Sequence, residues 1–306
     1  MTEAISRPAV DARSAGARSG QAGAGRPSSR RASRVGVYIL VYASGAIFAA
    51  FSIAPVLWGV STAFKPSADQ YEYPPRWIPR TITVEHFVAV FHNQVILRGF
   101  LNTLIIAVCT TAIALLVGIL GAYGFSRYRF PGRNTLLISV LFTQLFPRVV
   151  VIVPFFITLR NLQLINTIPG LVLVYLMVVF PVSIWMIKGF FDNIPREIEE
   201  AAIVDGASVA RMLFQVVLPM ARPALVAVGM YCFILAWNEF LFALVFTSGN
   251  KVQPLSVALA FFIDDTGIHW GDLMAASLLM SLPAIVVFSL SQRLLVRGLS
   301  EGAVKG

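Results

Sequence analysis

The sequence is short of charge. Asp, Glu, Lys and Arg make up 13% of its 306 residues, about half of the roughly 25% usual in soluble domains. With 57% apolar residues and a mean hydropathy of +0.77, a soluble core of this size would lack polar surface to cover it. The chain is therefore read as an integral membrane protein. Disorder throughout, a coiled coil and a disulfide scaffold are excluded by composition. Cysteine is scarce: Cys109 and Cys232 stand far apart in apolar runs, show no metal-ligand spacing, and read as small core hydrophobes. Histidine is equally scarce, with three residues, none inside an apolar run. Lysine is almost absent. Lys65, Lys188, Lys251 and Lys305 precede Pro66, Gly189, Val252 and Gly306, so the Gly-Lys-Ser/Thr needed to cradle phosphates and magnesium is missing. The chain by itself is no P-loop ATPase. It also lacks His-Glu-x-x-His, Gly-x-Ser-x-Gly and any cluster of acid and base, which removes support for a membrane enzyme.

What is present is a set of long apolar runs. Residues 35–64, 99–126, 161–187 and 273–292 carry no charge. The run 134–159 is interrupted only by Arg148, and 223–250 only by Glu239. About 20 apolar residues suffice to cross about 30 Å of hydrocarbon, so six transmembrane helices are predicted. Pro55, Pro147, Pro154, Pro181 and Pro283 fall within them, tolerated where neighbours satisfy the freed carbonyls.

Twenty of the 24 bases are Arg, and the net charge is +9. Topology, rather than nucleic acid, accounts for the excess. With the N-terminus inside, the inner segments hold 17 bases and the outer ones 6, which predicts both termini in the cytoplasm. Residues 1–34, rich in Ala, Gly, Ser and Arg, read as a disordered basic cytoplasmic arm. Arg30-Arg31 is a poor export signal, because the apolar run behind it is too long. The outer segment 65–98 carries Tyr71, Tyr73 and Trp77 among prolines. A short amphipathic helix follows, with Val84, Phe87, Val88 and Phe91 on its apolar face, lying on the membrane surface or on its own bundle. His86 and His92 read as surface residues.

The inner loop 190–222 is too ordered for a connector. Asn193 is predicted to cap a helix with proline in its first turn. Glu197, Glu199 and Glu200 crowd its positive end. Gly206 is predicted to stop it in the left-handed conformation. Ser208 then caps a second helix presenting Phe214, Val217 and Leu218 before Pro219. Such a helix–glycine–helix suits a docking surface; a hairpin that merely joins two spans is the plainer alternative.

Glu200-Ala201-Ala202-Ile203-Val204-Asp205-Gly206-Ala207, followed by Phe214, Leu218-Pro219 and Pro223, resembles the EAA loop of binding-protein-dependent ABC importer permeases. Asn102-Thr103, Arg127-Tyr128-Arg129-Phe130-Pro131-Gly132 and Trp237-Asn238-Glu239-Phe240 agree. The tail 298–306 resembles that of the maltose-type carbohydrate subfamily, its G-type subunit. The likeness covers residues 35–306. It implies an all-α, type I importer permease fold in the cell (inner) membrane, and a non-catalytic subunit. The implied partners are a second homologous permease in a heterodimer, an ABC ATPase dimer carrying ATP and Mg, an extracytoplasmic solute-binding protein, and a sugar. This chain itself would hold no cofactor. The resemblance further implies that Glu199, Glu200, Ala201, Ala202, Asp205, Gly206, Ala207, Phe214, Leu218 and Pro219 couple to the ATPase. It implies that the tail, with Gly302 and Lys305, touches the ATPase dimer. It also implies that the outer loop 249–270 reaches toward the binding protein.

Polar groups within the spans remain open to two readings. Asn102, Gln144, Arg148, Trp237, Asn238 and Glu239 could line a sugar path, since intramembrane charge usually faces an aqueous route. They could equally bind helices together. A proton-coupled secondary transporter with Glu239 as carrier is the rival function, but it leaves the ordered acidic loop unexplained.

Overall fold

The computed structural model describes residues 28–264 and 267–303. The predicted arm, 1–34, thus falls for the most part outside the described residues; the first helix, α1 (Ser28–Ala63), begins within it. The chain divides after Pro55 into two units, 1–55 and 56–306. In the first, the described side chains from Val37 are almost all exposed, Phe48 and Phe51 at 72% and 79%. These large apolar side chains suit a lipid environment rather than water.

The second unit runs through α2 (Glu85–His92), α3 (Gln94–Arg127), α4 (Arg133–Phe142), α5 (Arg148–Asn161) and α6 (Ile168–Asp192). The loop helices α7 (Arg196–Val204), α8 (Val209–Met212) and α9 (Leu218–Met220) follow. Then come α10 (Arg222–Trp237), α11 (Leu241–Phe246), α12 (Leu255–Ala258) and α13 (Trp270–Ala303). One departure from an all-helical chain is a two-residue antiparallel ladder, β1 (Ile263–Asp264) with β2 (Gly267–Ile268).

Among the described residues, four helices are long and apolar enough to span a membrane, or six spans if each of two bent pairs counts as one. Both bends have local causes. Between α4 and α5 the chain turns by 103° at Phe146, which is extended (φ −73°, ψ 128°) because Pro147 follows. Pro147 then opens α5. The apolar run 223–250 is not one helix: α10 stops at Trp237, and Glu239 starts α11 anew. Here the bent candidate span, turned by 81°, joins Val209–Met220 to α10.

The core lies between α3, α6 and α10. Ala107, Ala114, Gly118 and Ala122 place small residues along the buried side of α3, which lets α6 approach closely. Ile106, Leu171, Tyr175, Phe233 and Trp237 form one cluster. Ile187, Phe191, Val228 and Cys232 form a second, which reaches down to Met212, Leu213 and Val217 of the loop. Cys232 is buried as expected, whereas Cys109 is exposed, because it sits on the side of α3 turned away from this contact.

At the opposite end, α2 does not seat its predicted apolar face on the bundle, which leaves the alternative of a membrane-facing stripe. Val84, Val88 and Phe91 are exposed, while Val90 and His86 are buried and Phe87 packs on Phe64. His86 is therefore no surface residue. Its Nδ1 lies 2.7 Å from Asp272 Oδ1, and its Nε2 lies 2.7 Å from the Gln70 amide nitrogen. Gln70 Oε1 in turn accepts the Gly271 N–H at 3.0 Å. A Cβ on Gly271 would sit 2.2 Å from both Gln70 and His86 side-chain atoms, so glycine is required there for space. Partners distant in sequence outweighed the local apolar pattern.

Candidate functional site

The loop 190–222 forms the predicted helix–glycine–helix, but its first cap differs. Pro195 is the N-cap residue of α7. Asn193 instead donates its side-chain N–H to the Gly189 carbonyl, closing α6. At the other end of α7, Gly206 has φ +81°. The Gly206 N–H bonds Ile203 O and the Ala207 N–H bonds Ala202 O, each at 3.0 Å. This paired reverse bonding defines a Schellman stop, with Ala202 and Ala207 packed on the same apolar cluster. A Cβ on Gly206 would meet nothing within 4 Å, so conformation, not space, selects glycine. Ser208 Oγ accepts the Arg211 N–H at 3.3 Å and caps α8. A π-helical turn, Leu213–Val217, joins α8 to α9. It turns Leu213 and Val217 inward and leaves Phe214 53% exposed, so Phe214 does not share a buried face with Val217.

Glu199 does not lie on the exposed side of the loop. It is buried, and Nε and Nη2 of Arg127 both reach its Oε1 at 2.6 Å. The Tyr123 hydroxyl donates to its other oxygen at 3.2 Å. Arg127 also donates to Ile194 O at 3.0 Å and to Ser126 Oγ at 3.1 Å. Ser126 Oγ donates to Asp192 at 2.6 Å, and Lys188 pairs with the same carboxylate. The first helix of the loop is thus pinned to the end of α3 by a buried ion pair, and through Ser126 and Asp192 to the end of α6. Sequence reasoning assigned neither Arg127 nor Tyr123 to the loop; the available signal was an additional acid one position before the motif glutamate.

With its underside pinned, α7 turns a bare surface outward. Glu200, Ala201, Asp205 and Gly206 are exposed, and so are Ile203 at 50% and Val204 at 86%. Ala202, Ala207, Leu218 and Pro219 are half-buried beneath. An apolar tip flanked by carboxylates is suited to insertion into a partner's cleft. Gly302 lies within α13, which continues to Ala303; Lys305 lies outside the described residues.

The six polar candidates within the spans separate into three groups. Asn102 donates to Lys251 O at 3.1 Å and Gln253 O at 3.0 Å. Next to it, Thr103 Oγ1 accepts the Leu255 N–H at 2.8 Å; together they pin the loop 249–270 onto α3. Trp237 is 1% exposed, donates to Met280 O at 3.0 Å, and stacks on Phe233. Glu239 accepts the N–H groups of Phe242 at 3.0 Å and Ala243 at 3.1 Å, capping α11 where its first amides lack partners. These three are structural within the chain. By contrast, Gln144 and Arg148 line a cavity of about 520 Å³ walled by Phe146, Phe155, Phe180 and Phe242. Gln144 is held by Val178 O at 3.0 Å. Asn238 is exposed, and its side-chain N–H donates to Ile234 O at 2.9 Å. Two candidates thus meet in one cavity, and Asn238 stands apart.

Comparison with known proteins accords with this geometry. Residues 114–301 match the family described as "Binding-protein-dependent transport system inner membrane component". The chain is 34% identical to the inner membrane ABC transporter permease protein YcjP of Escherichia coli (strain K12), over 90% of this chain and 98% of the relative. It is 35% identical to the diacetylchitobiose uptake system permease protein DasC of Streptomyces coelicolor, over 83% of this chain and 92% of the relative. Among solved structures, a bacterial ABC transporter involved in the import of the acidic polysaccharide alginate superposes with a TM-score of 0.72 at 25% identity, covering 88% of this chain and 98% of the matched one. A match across more than half of the chain, spanning both the pinned loop and the cavity, identifies it as a member of the binding-protein-dependent transport system inner membrane components, a multi-pass permease of the cell membrane.

Proposed function

We propose that the chain is the permease subunit of an ATP-driven sugar importer, and that α7 carries force from an ATPase subunit to the spans. It would supply half of the translocation pathway. A second, homologous permease would supply the other half, an ABC ATPase dimer would bind ATP and Mg, and an extracytoplasmic binding protein would deliver the sugar. Six spans with both termini in the cytoplasm complete this arrangement.

The observation that carries this reading is the contrast within α7: Glu199 is locked to Arg127 below, while Val204 is 86% exposed above. A helix fixed to two spans at one side and bare at the other moves with its partner without slack. Coupled motion of this kind is largely rigid-body rotation about a fixed site. The sugar reading draws on relatives named for diacetylchitobiose uptake and alginate import. A cavity with Arg148 and Gln144 among aromatic walls offers donors for hydroxyls and rings for sugar faces.

The test is co-purification with the products of neighbouring genes. The tagged chain is expected to retain a second permease and an ATPase whose turnover rises with one loaded binding protein. Ile203→Asp with Val204→Asp is expected to release the ATPase while the permease pair remains. Capture of the ATPase unchanged by that pair of substitutions would remove α7 from the docking surface.

A further inference from the structure

A second polar site lies beside the pinned loop, at the level where α3 and α6 end. A hollow of about 480 Å³ there is lined by Arg127, Arg129, Arg133, Lys188 and Arg196, with Asp192 and Glu197. Arg127 and Lys188 are neutralised by Glu199 and Asp192. Arg129, Arg133 and Arg196 form no ion pair among the described residues. Arg133 makes only a 3.5 Å bond to Tyr128 O. Three guanidinium groups therefore converge against one carboxylate, Glu197.

The surroundings identify what would balance them. The hollow shares Lys188 and Asp192 with a neighbouring groove of about 410 Å³ that includes Trp185 and Phe190. It shares Arg129 and Arg133 with another that includes Phe130. Trp185 is 55% exposed and Tyr128 equally so. Exposed aromatic side chains at the ends of apolar spans mark the headgroup level of a bilayer. Guanidinium groups bind phosphate oxygens in a fork geometry, and basic pockets between span ends suit anionic headgroups. We propose that this groove binds the phosphate of an anionic phospholipid, with Arg129, Arg133 and Arg196 on the headgroup and the acyl chains lying along Trp185 and Phe190. The lipid would then brace the junction between α6 and α7. The site does not depend on the transport reading, because it needs only this chain in a membrane.

The test uses the full-length chain, extracted in mild detergent with its accompanying subunits. Binding is followed by native mass spectrometry and thermal shift with short-chain phosphatidylglycerol, phosphatidylcholine or inorganic phosphate. Phosphatidylglycerol is expected to bind and stabilise, and phosphatidylcholine is not. Arg129→Gln, Arg133→Gln and Arg196→Gln together are expected to weaken phosphatidylglycerol binding about a hundredfold, roughly fivefold per arginine. Should the triple variant fail to fold, Arg129→Gln alone, at an exposed position, is expected to show the fivefold loss. Equal stabilisation by inorganic phosphate would overturn the lipid in favour of a free anion. Equal phosphatidylglycerol binding by wild type and the folded variants would overturn the site. Normal lipid binding combined with loss of an accompanying subunit would assign these arginines to a protein interface instead.

Discussion

The two ends of the molecule are held by different means. At the loop 190–222, one buried ion pair with two supporting donors fixes α7, and the rest of that helix stands clear. At the other end, hydrogen bonds are spread over several contacts, that of His86 with the Asp272 carboxylate among them. Asn102 and Thr103 hold the loop 249–270, and Gln70 links His86 to Gly271. A distributed seat closes a surface, since no single bond controls it. A single strong pin leaves a helix free on its other faces while fixing its orientation, which a docking element requires. The price is vulnerability, because an unpartnered buried charge costs far more than one missing neutral bond.

The largest effect is expected at the pin. Arg127→Ala or Glu199→Ala leaves a buried charge alone and should cost about 3–5 kcal/mol, read as a fall in thermal stability and rapid amide exchange across 196–204. Arg127→Met combined with Glu199→Leu should cost less than the sum of the two alanine variants. If the single variants exchange no faster than wild type in this segment, α7 is held by packing alone and the contrast between the two ends collapses.

Next in size is the cap of α11. Glu239→Ala orphans two amide groups and should cost about 1–3 kcal/mol. Glu239→Gln, which keeps an acceptor oxygen, should recover part of this in a denaturant series.

A pair of glycine substitutions sharpens the comparison further. Gly271→Ala forces a side chain into Gln70 and His86, and overpacking of this kind costs about 1–3 kcal/mol. Gly206→Ala has ample space but an unfavourable φ, worth about 1 kcal/mol. Gly206→Asn should be milder still, since Asn tolerates the left-handed region. Thermal melts of the three variants would separate steric from conformational cost; equal losses at both glycines would contradict the assignment. Transport, by contrast, should suffer more from Gly206→Pro than from Gly271→Ala.

The smallest effect concerns acid. Glu85 accepts the Ser67 N–H and hydroxyl, which hold its carboxyl below its usual value of 4.5. A lowered value means that the contact stabilises above the ordinary carboxylate range and is lost as pH falls through the lowered value. Glu85→Gln should therefore lower the melting temperature slightly at pH 7, converge with wild type in acid and so flatten the acid slope. An unchanged acid slope would show that Glu85 contributes nothing there.

Much of this was legible in the linear chain. Composition alone marked a membrane protein, because 57% apolar residues leave too little polar surface for water. The motif 200–207 located the projecting loop, and Gly206 its turn, since a helix stop is decided by residues adjacent in sequence. Three features were not legible. Glu199 looked like its exposed neighbour Glu200, because only the end of α3, about seventy residues earlier, supplies its partner. His86 looked superficial for the same reason, its partner Asp272 lying on α13. The run 223–250 looked continuous, because hydropathy does not register a carboxylate that ends one helix by capping the next.

Apolar pattern, turn chemistry and charge placement, all properties of neighbouring residues, determined that the chain enters a membrane, where its helices lie and which loop projects. Tertiary structure alone decided which polar groups are spent inside the chain and which remain free. A hydrogen bond or ion pair between distant segments depends on how helices pack in space, and that packing is set by side-chain volume along α3, α6 and α10 together.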